Sequence, residues 1–283
     1  MDTLPIPGLD VEPSRTDWPA KLLSQNNTDV CRRPEGGDET DEAAKTEKLR
    51  VFTWTVPAWW VRLSTGDYFN TCPEAGVCGR SCYAFGRGSS YKRFPSARNR
   101  HLLNLELVLS EPKEWERRMK AELKGRVFRG GNAWVRVHDA GDFWSDEYVL
   151  SWLRIARSAP HVTFYCYTKA IDRFRRLVLP DCPPNFLWCF SLGGTEDRLI
   201  DREKDRHADV FPTVEALEAA GYSDQSASDL LAVLGAPKVG IPANRYPAMK
   251  GTASFGDLQL QEEEKRRVRE AERTARLTLA TAA

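Results

Sequence analysis

Charge of one sign is missing from this chain: 41 lysines and arginines stand against 40 aspartates and glutamates, a formal charge of +1. Net balance therefore points to no polyanionic or polycationic partner, and such a partner must be sought in local patches. Also missing is any apolar run near the roughly 20 residues that a membrane span needs, and any internal period. The opening MDTLPIPGLDVEPSRTD is acidic and contains prolines, unlike the basic-then-apolar order of a secretory signal. From these absences we expect a soluble, cytoplasmic protein with no membrane partner. At 283 residues the chain is long enough for one large domain with a real core, plus tails.

What is present concentrates in one loop. Of seven cysteines, Cys72, Cys78 and Cys82 fall inside TCPEAGVCGRSCYA. Pro73, Gly76 and Gly79 between them supply turns, so one loop can fold three sulfurs around a single centre. Three thiolates without a fourth in the same loop suit a 4Fe-4S cluster with one iron left open. Zinc is the competing occupant. A structural zinc site wants four ligands, and the fourth would come from afar, for instance His101 or His138. Cys31 stands apart, and Cys166 and Cys189 lie in apolar runs, which fits a reducing compartment better than a disulfide scaffold.

Residues 1–48 are polar and proline-containing and read as a flexible or loosely docked arm. From Leu49, LRVFTWTVPAWW reads as a buried first strand, with the cysteine loop after it. Ser96 is expected to cap a helix bearing Leu102, Leu105 and Leu109, and a second helix starts after Pro112. AWVRVHDAGDFW is a strand running into a polar turn, and SDEYVLSWLRIARSA a helix capped by Ser145. VTFYCYTKA, IDRFRRLVL and FLWCFSLGG follow as strand, helix and strand. SDLLAVLGA reads as helical and KVGIPA as a last strand. The end of the chain, residues 251–283, reads as an exposed, charged helix.

This alternation builds a parallel sheet with helical cover, and its apolar strands suit burial on both faces. Residues 49–250 are short for a complete eight-fold barrel of about 250 residues. We therefore expect an α/β fold of the incomplete, partial parallel (β/α) barrel type.

In such folds the chemistry sits at the carboxyl ends of the strands. One strand delivers the cysteine loop, the next His138, Asp139, Gly141 and Asp142, the third Tyr167, Thr168 and Lys169, and the fourth Ser191, Gly193 and Gly194. His138, Asp139 and Asp142 can ligate a metal, exchange protons or hold a ligand's amine, or Asp139 and Asp142 can simply bond the turn. Ala75 to Leu105 contains no acid, while Arg80, Arg87, Lys92, Arg93, Arg98 and Arg100 alternate with Tyr83, Phe85, Tyr91 and Phe94. Arginines among stackable rings suit a phosphate backbone and exposed bases, so nucleic acid is a candidate partner.

Taken together, three features carry a likeness: a cysteine loop ending in Cys82, Tyr83 and Ala84; an acidic glycine turn with Phe143; and Thr168, Lys169, Pro183, Pro184 and Asn185 leading to Ser191. The chain resembles the phage three-cysteine-motif proteins and the mycobacteriophage family called gene product 88, both similar in layout to radical S-adenosylmethionine enzymes. The resemblance covers roughly residues 51–199. It implies that Cys72, Cys78 and Cys82 ligate a 4Fe-4S cluster, and that Ala140, Gly141 and Asp142 stand where those enzymes carry a Gly-Gly-Glu contact to S-adenosylmethionine. Ser191 would help position that cofactor, and His138, Asp139 and Lys169 would be the catalytic side chains facing the substrate. The spacing here is five residues then three, against three then two in those enzymes, and Tyr83 follows the last cysteine where they place an aromatic residue before theirs. The expected function is an iron-sulfur enzyme modifying a nucleobase or nucleic acid, in the host cytoplasm if phage-encoded. Two rival readings are a zinc-containing, transglycosylase-like base-modifying enzyme with Asp139 or Asp142 as its reacting group, and a metal-stapled nucleic-acid-binding protein without catalysis.

Overall fold

In the computed structural model, residues 18–25, 49–82, 84, 94–243 and 253–281 are described. An edge strand β1 (Ser24–Gln25) precedes β2 (Arg50–Trp54), a small hairpin of β3 (Trp60–Arg62) and β4 (Tyr68–Asn70), and a short helix α1 (Gly76–Arg80). Helices α2 (Pro95–Ser110) and α3 (Pro112–Leu123) lead to β5 (Ala133–Val137), α4 (Asp146–Ser158), β6 (Val162–Thr168) and α5 (Ile171–Leu177). Then come β7 (Phe186–Ser191), β8 (His207–Phe211), α6 (Val214–Ala219), β9 (Ser223–Asp224), α7 (Leu231–Leu234), β10 (Lys238–Pro242) and the long α8 (Phe255–Thr281).

Eight strands form one sheet in the order β1-β2-β5-β6-β7-β8-β10-β9. β2, β5, β6, β7, β8 and β10 are all parallel, each new strand joining beside the last, while β1 pairs antiparallel with β2 at the edge. The fold is thus mixed α/β on a mostly parallel sheet.

Side chains alternate across each strand, and this divides the core in two. Phe52, Trp54, Val135, Val137, Phe164 and Phe186 face α2 to α5 and join Trp115 and Trp152 in one large cluster. Four aromatic rings meet at its centre, with the Trp115 ring 5.6 Å from Trp54, 5.4 Å from Trp152 and 5.4 Å from Tyr148. On the opposite face, Val51, Trp134 and Tyr165 are covered by Leu230, and Cys189, Ala208 and Val239 by Ala232. The stretch around α7 therefore fills the inner face of the sheet. It forms only the single turn Leu231–Leu234 where SDLLAVLGA suggested a longer helix, because its apolar residues are spent on the sheet below.

Local signals explain most boundaries. Ser145 caps α4, accepting from the Tyr148 N–H at 3.2 Å. α2 begins one residue ahead of the expected Ser96 cap: Phe94 is the cap residue without a side-chain bond, and Pro95 takes the first helical position, where its fixed φ and missing N–H fit. The hairpin β3–β4 stands between the first strand and the cysteine loop, which we expected to be adjacent. Part of the arm docks: Leu22 and Leu23 are buried, and the Glu122 carboxylate accepts from both of their N–H groups at 2.7 and 3.1 Å. Residues 1–17 and 26–48 of that arm lie outside the described residues.

Trp115→Ala should lower stability by about 3–5 kcal/mol, the usual cost of emptying a buried indole site, read as a shifted urea midpoint. Leu260→Ala, at a half-exposed position on α8, should stay within about 0.5 kcal/mol.

Candidate functional site

The strands of the parallel sheet end around a cavity of about 400 Å³ lined by Cys72, Cys78 and Cys82 together with His138, Asp139, Gly141, Asp142, Lys169 and Ser191. These nine residues, the proposed cluster ligands, cofactor-binding and catalytic groups, therefore border one space, whereas His101, offered above as a fourth zinc ligand, is not among its lining residues. None of the three cysteines is in a disulfide. The Trp59 N–H donates to Cys72 Sγ at 3.3 Å, and the helical Cys78 N–H donates to the Gly193 carbonyl at 3.1 Å. Burial, and after it the Asp142 carboxylate, push the Cys72 thiol far above the ordinary range, so a thiolate there needs a positive centre beside it. Among the described residues, no three His, Cys, Asp or Glu side chains stand close enough together to hold one metal ion.

Asp142 is the hub of the site. Its Oδ1 accepts from the Phe143 N–H at 2.8 Å and the Thr168 hydroxyl at 2.7 Å, and its Oδ2 from the Lys169 N–H at 2.8 Å. Its own N–H donates to the Thr71 carbonyl at 3.0 Å, next to Cys72. One carboxylate thus fastens the end of β5 to the end of β6 and to the cysteine loop. Burial raises its pKa although these donors oppose the shift. Lys169 is buried, and its Nζ donates to the Ser191 hydroxyl at 2.6 Å, the Ser191 carbonyl at 3.2 Å and the Leu192 carbonyl at 2.8 Å. An ammonium has three protons, and all three are engaged.

His138 adopts φ +68° and sits in an aromatic cage, its ring centroid 4.6 Å from Phe143 and 5.5 Å from Tyr148. Its Nε2 bonds the Tyr148 hydroxyl at 2.9 Å, while its buried Nδ1 has no hydrogen-bond partner among the described residues. Burial pushes its pKa down to about 3, so it is neutral at pH 7. Asp139 lies farther out, on the turn, with Oδ1 3.1 Å from Arg136. Gly141 holds φ +87°, and a Cβ there would meet Val56 Cγ2 at 2.3 Å; only glycine suits both conditions.

The far wall escaped notice in the sequence. Arg136 projects from β5 into the cavity, 3.3 Å from Asp229 and with its guanidinium 5.6 Å from the centre of the Tyr167 ring. Asp229 also accepts from the Tyr165 and Tyr167 hydroxyls at 2.7 and 3.2 Å. One signal was available: a charge inside AWVRV, a strand buried on both faces, demands a buried partner. The roof also came from afar. Phe255 lines the cavity, and Gln259 Oε1 accepts from the Val77 N–H at 2.9 Å, so the first turns of α8 close the cysteine loop while its later turns are exposed.

Of the basic stretch, Arg87, Lys92, Arg93, Tyr83, Phe85 and Tyr91 lie outside the described residues. Arg80 stands 3.3 Å from Glu262, and Arg100 donates to the Lys21 carbonyl at 2.9 Å. Phe94 is 60% exposed. No helix among the described residues is long and apolar enough to cross a membrane.

Gly141→Ala should destabilise the protein by more than the roughly 1–2 kcal/mol of a left-handed backbone alone, because the clash adds to it. Gly131→Ala, at φ +74° with nothing within 4 Å, should cost only the backbone part; urea unfolding of both variants separates the two. For His138, the unfolded chain takes up a proton below about pH 6.5 that the folded protein refuses until near pH 3. Between about pH 6 and pH 4 wild type should therefore lose about 1.4 kcal/mol per pH unit more than His138→Gln. Parallel stability curves would refute the neutral buried imidazole.

The sequence profile of the family described as Gene product 88 matches residues 21–272. The Gene 88 protein of Mycobacterium phage L5 is 30% identical over 124 residues, 38% of this chain and 46% of that protein. The match thus spans about half the length of this curated relative. No solved structure matches the chain. The profile takes in the cysteine loop, every strand from β1 to β10 and the docked turns of α8, and on that extent the chain belongs to the Gene product 88 family.

Proposed function

We propose that the protein is an iron-sulfur enzyme of the radical S-adenosylmethionine kind, in which Cys72, Cys78 and Cys82 ligate a 4Fe-4S cluster. The observation that carries this reading is the gathering of three cysteines, none in a disulfide, with Asp142, Lys169 and Ser191 on one cavity at the carboxyl ends of parallel strands. The donor set fits. Three cysteines bordering one space are the number of thiolates that a 4Fe-4S cluster with one open iron would take. Six strands standing side by side in chain order, β2, β5, β6, β7, β8 and β10, are also what an open, partial barrel would have.

Such a cluster, with one iron open, would supply reductive cleavage of S-adenosylmethionine and hydrogen abstraction from a substrate. The chain's own residues would do the rest. Gly141 would let the turn pack against Val56 while bordering the cofactor space. Asp142 and Ser191 would border the cofactor, Asp142 also fixing the loop through its three donors. Lys169 would hold the Ser191 end of the rim, and His138 would brace the turn from its aromatic cage. Asp139, the most open of the proposed catalytic groups, would meet the substrate. A nucleobase or nucleic acid remains our candidate substrate, on the arginines and rings between Ala75 and Leu105.

Protein purified without oxygen should carry about four irons and matching acid-labile sulfide per chain, and Cys78→Ala should lose most of both. About one zinc without iron would overturn the proposal in favour of the zinc-containing base-modifying reading.

A further inference from the structure

The cavity is also lined by Arg136, Tyr167, Gln225 and Asp229, and the geometry points to this wall as a subsite for a small ligand bearing a carboxylate or phosphate monoester, with Arg136 as its anchor. The inference rests on the cavity being a ligand site, and not on which metal the cysteines hold.

Among the described residues, two cations line the cavity, Lys169 and Arg136. The first has all three protons engaged with Ser191 and Leu192. Arg136 is therefore the cation that an incoming anion can reach, and it presents a planar fork suited to two-point contact with carboxylate or phosphate. Asp229 is only 5% exposed in its side chain and is pinned by Tyr165, Tyr167 and Gln225 Nε2, the last at 3.2 Å. The Tyr167 ring lies beneath the guanidinium. A charge on the inner face of a buried strand is costly unless paired and hydrogen-bonded, and this setting holds it in one orientation.

The same Nη1 that meets Asp229 also meets Asp139 at 3.1 Å, and the Asp139 side chain is 45% exposed on the turn after β5. An exposed ion pair is weak, so Asp139 can act as a placeholder that the ligand's anion displaces. Asp142, the remaining acid of that turn, accepts three protein donors in the wall, which offsets its repulsion of an anion. Trp59 and Phe255 offer apolar surface across the same space, which suits a ligand with a flat or apolar body behind its anionic group.

Opposite responses of the two partners test the subsite. Binding of adenosine 5'-monophosphate, phenylacetate and uncharged adenosine is measured by calorimetry on the full-length, anaerobically purified protein, with iron and sulfide assayed on the same sample. One of the two anions should bind more tightly than adenosine, and which one does so identifies phosphate or carboxylate as the natural group. Arg136→Gln should weaken it about tenfold or more, the scale of a lost charge-assisted pair. Asp139→Asn should tighten it several-fold, and because that position is exposed the variant should fold even if Arg136→Gln does not. Anions that bind no better than adenosine, or weaker binding in Asp139→Asn, would overturn the subsite. With iron and sulfide at full occupancy, that failure would leave the cluster proposal standing; full anion binding on iron-free protein would do the reverse.

Discussion

A buried carboxylate that accepts three protein donors holds the site together. Asp142 takes the Phe143, Thr168 and Lys169 donors and gives its own N–H to Thr71. Two parallel strand ends and the cysteine loop thereby share one anchor. Removing such an acceptor would strand several donors in a dry interior, where an unmade hydrogen bond costs far more than a made one contributes. The positions of the thiols on the rim follow from that anchor, since Thr71 is bonded to it and Cys72 is next in the chain. The same bond network places Lys169, whose backbone is held by Asp142 while its ammonium reaches across to Ser191.

The sheet explains why the groups meet at all. Strands that add one beside the last in a single direction bring every carboxyl end to one rim. The loops after β2, β5, β6 and β7 then face each other although they lie far apart in sequence. The inner face below them is sealed by Leu230 and Ala232, so the space left open is a cup at the rim with Arg136 and Asp229 in its wall.

Much of this was legible because the relevant signals are local. Ser145 and the acids after it mark the start of α4, and VTFYCY and FLWCF are continuous apolar runs of strand length. The cysteine loop and the strand-end turns could be assigned to one rim from topology alone. What escaped was non-local. β8 is interrupted by His207 and Asp209, which look wrong for a buried strand until Tyr222 is seen 2.9 Å from His207 Nε2 and the Gly256 N–H 3.0 Å from Asp209. The tie of Lys169 to Ser191 and the seat of Asp229 under Arg136 depend on partners tens of residues away. The carboxyl-terminal helix read as a solvated face from its charge pattern, and its later turns are so; the docking turn carries only Phe255 and Gln259 as clues, too few to form a periodic pattern.

That docking turn sets an order of events during synthesis. Val77 and Gln259, whose hydrogen bond closes the cysteine loop, are 182 residues apart. Chains emerge amino terminus first, so the three cysteines leave the ribosome long before the residue that roofs them. Until α8 has followed, the thiols stand open to solvent, and afterwards the loop that carries them lies beneath Phe255 and Gln259.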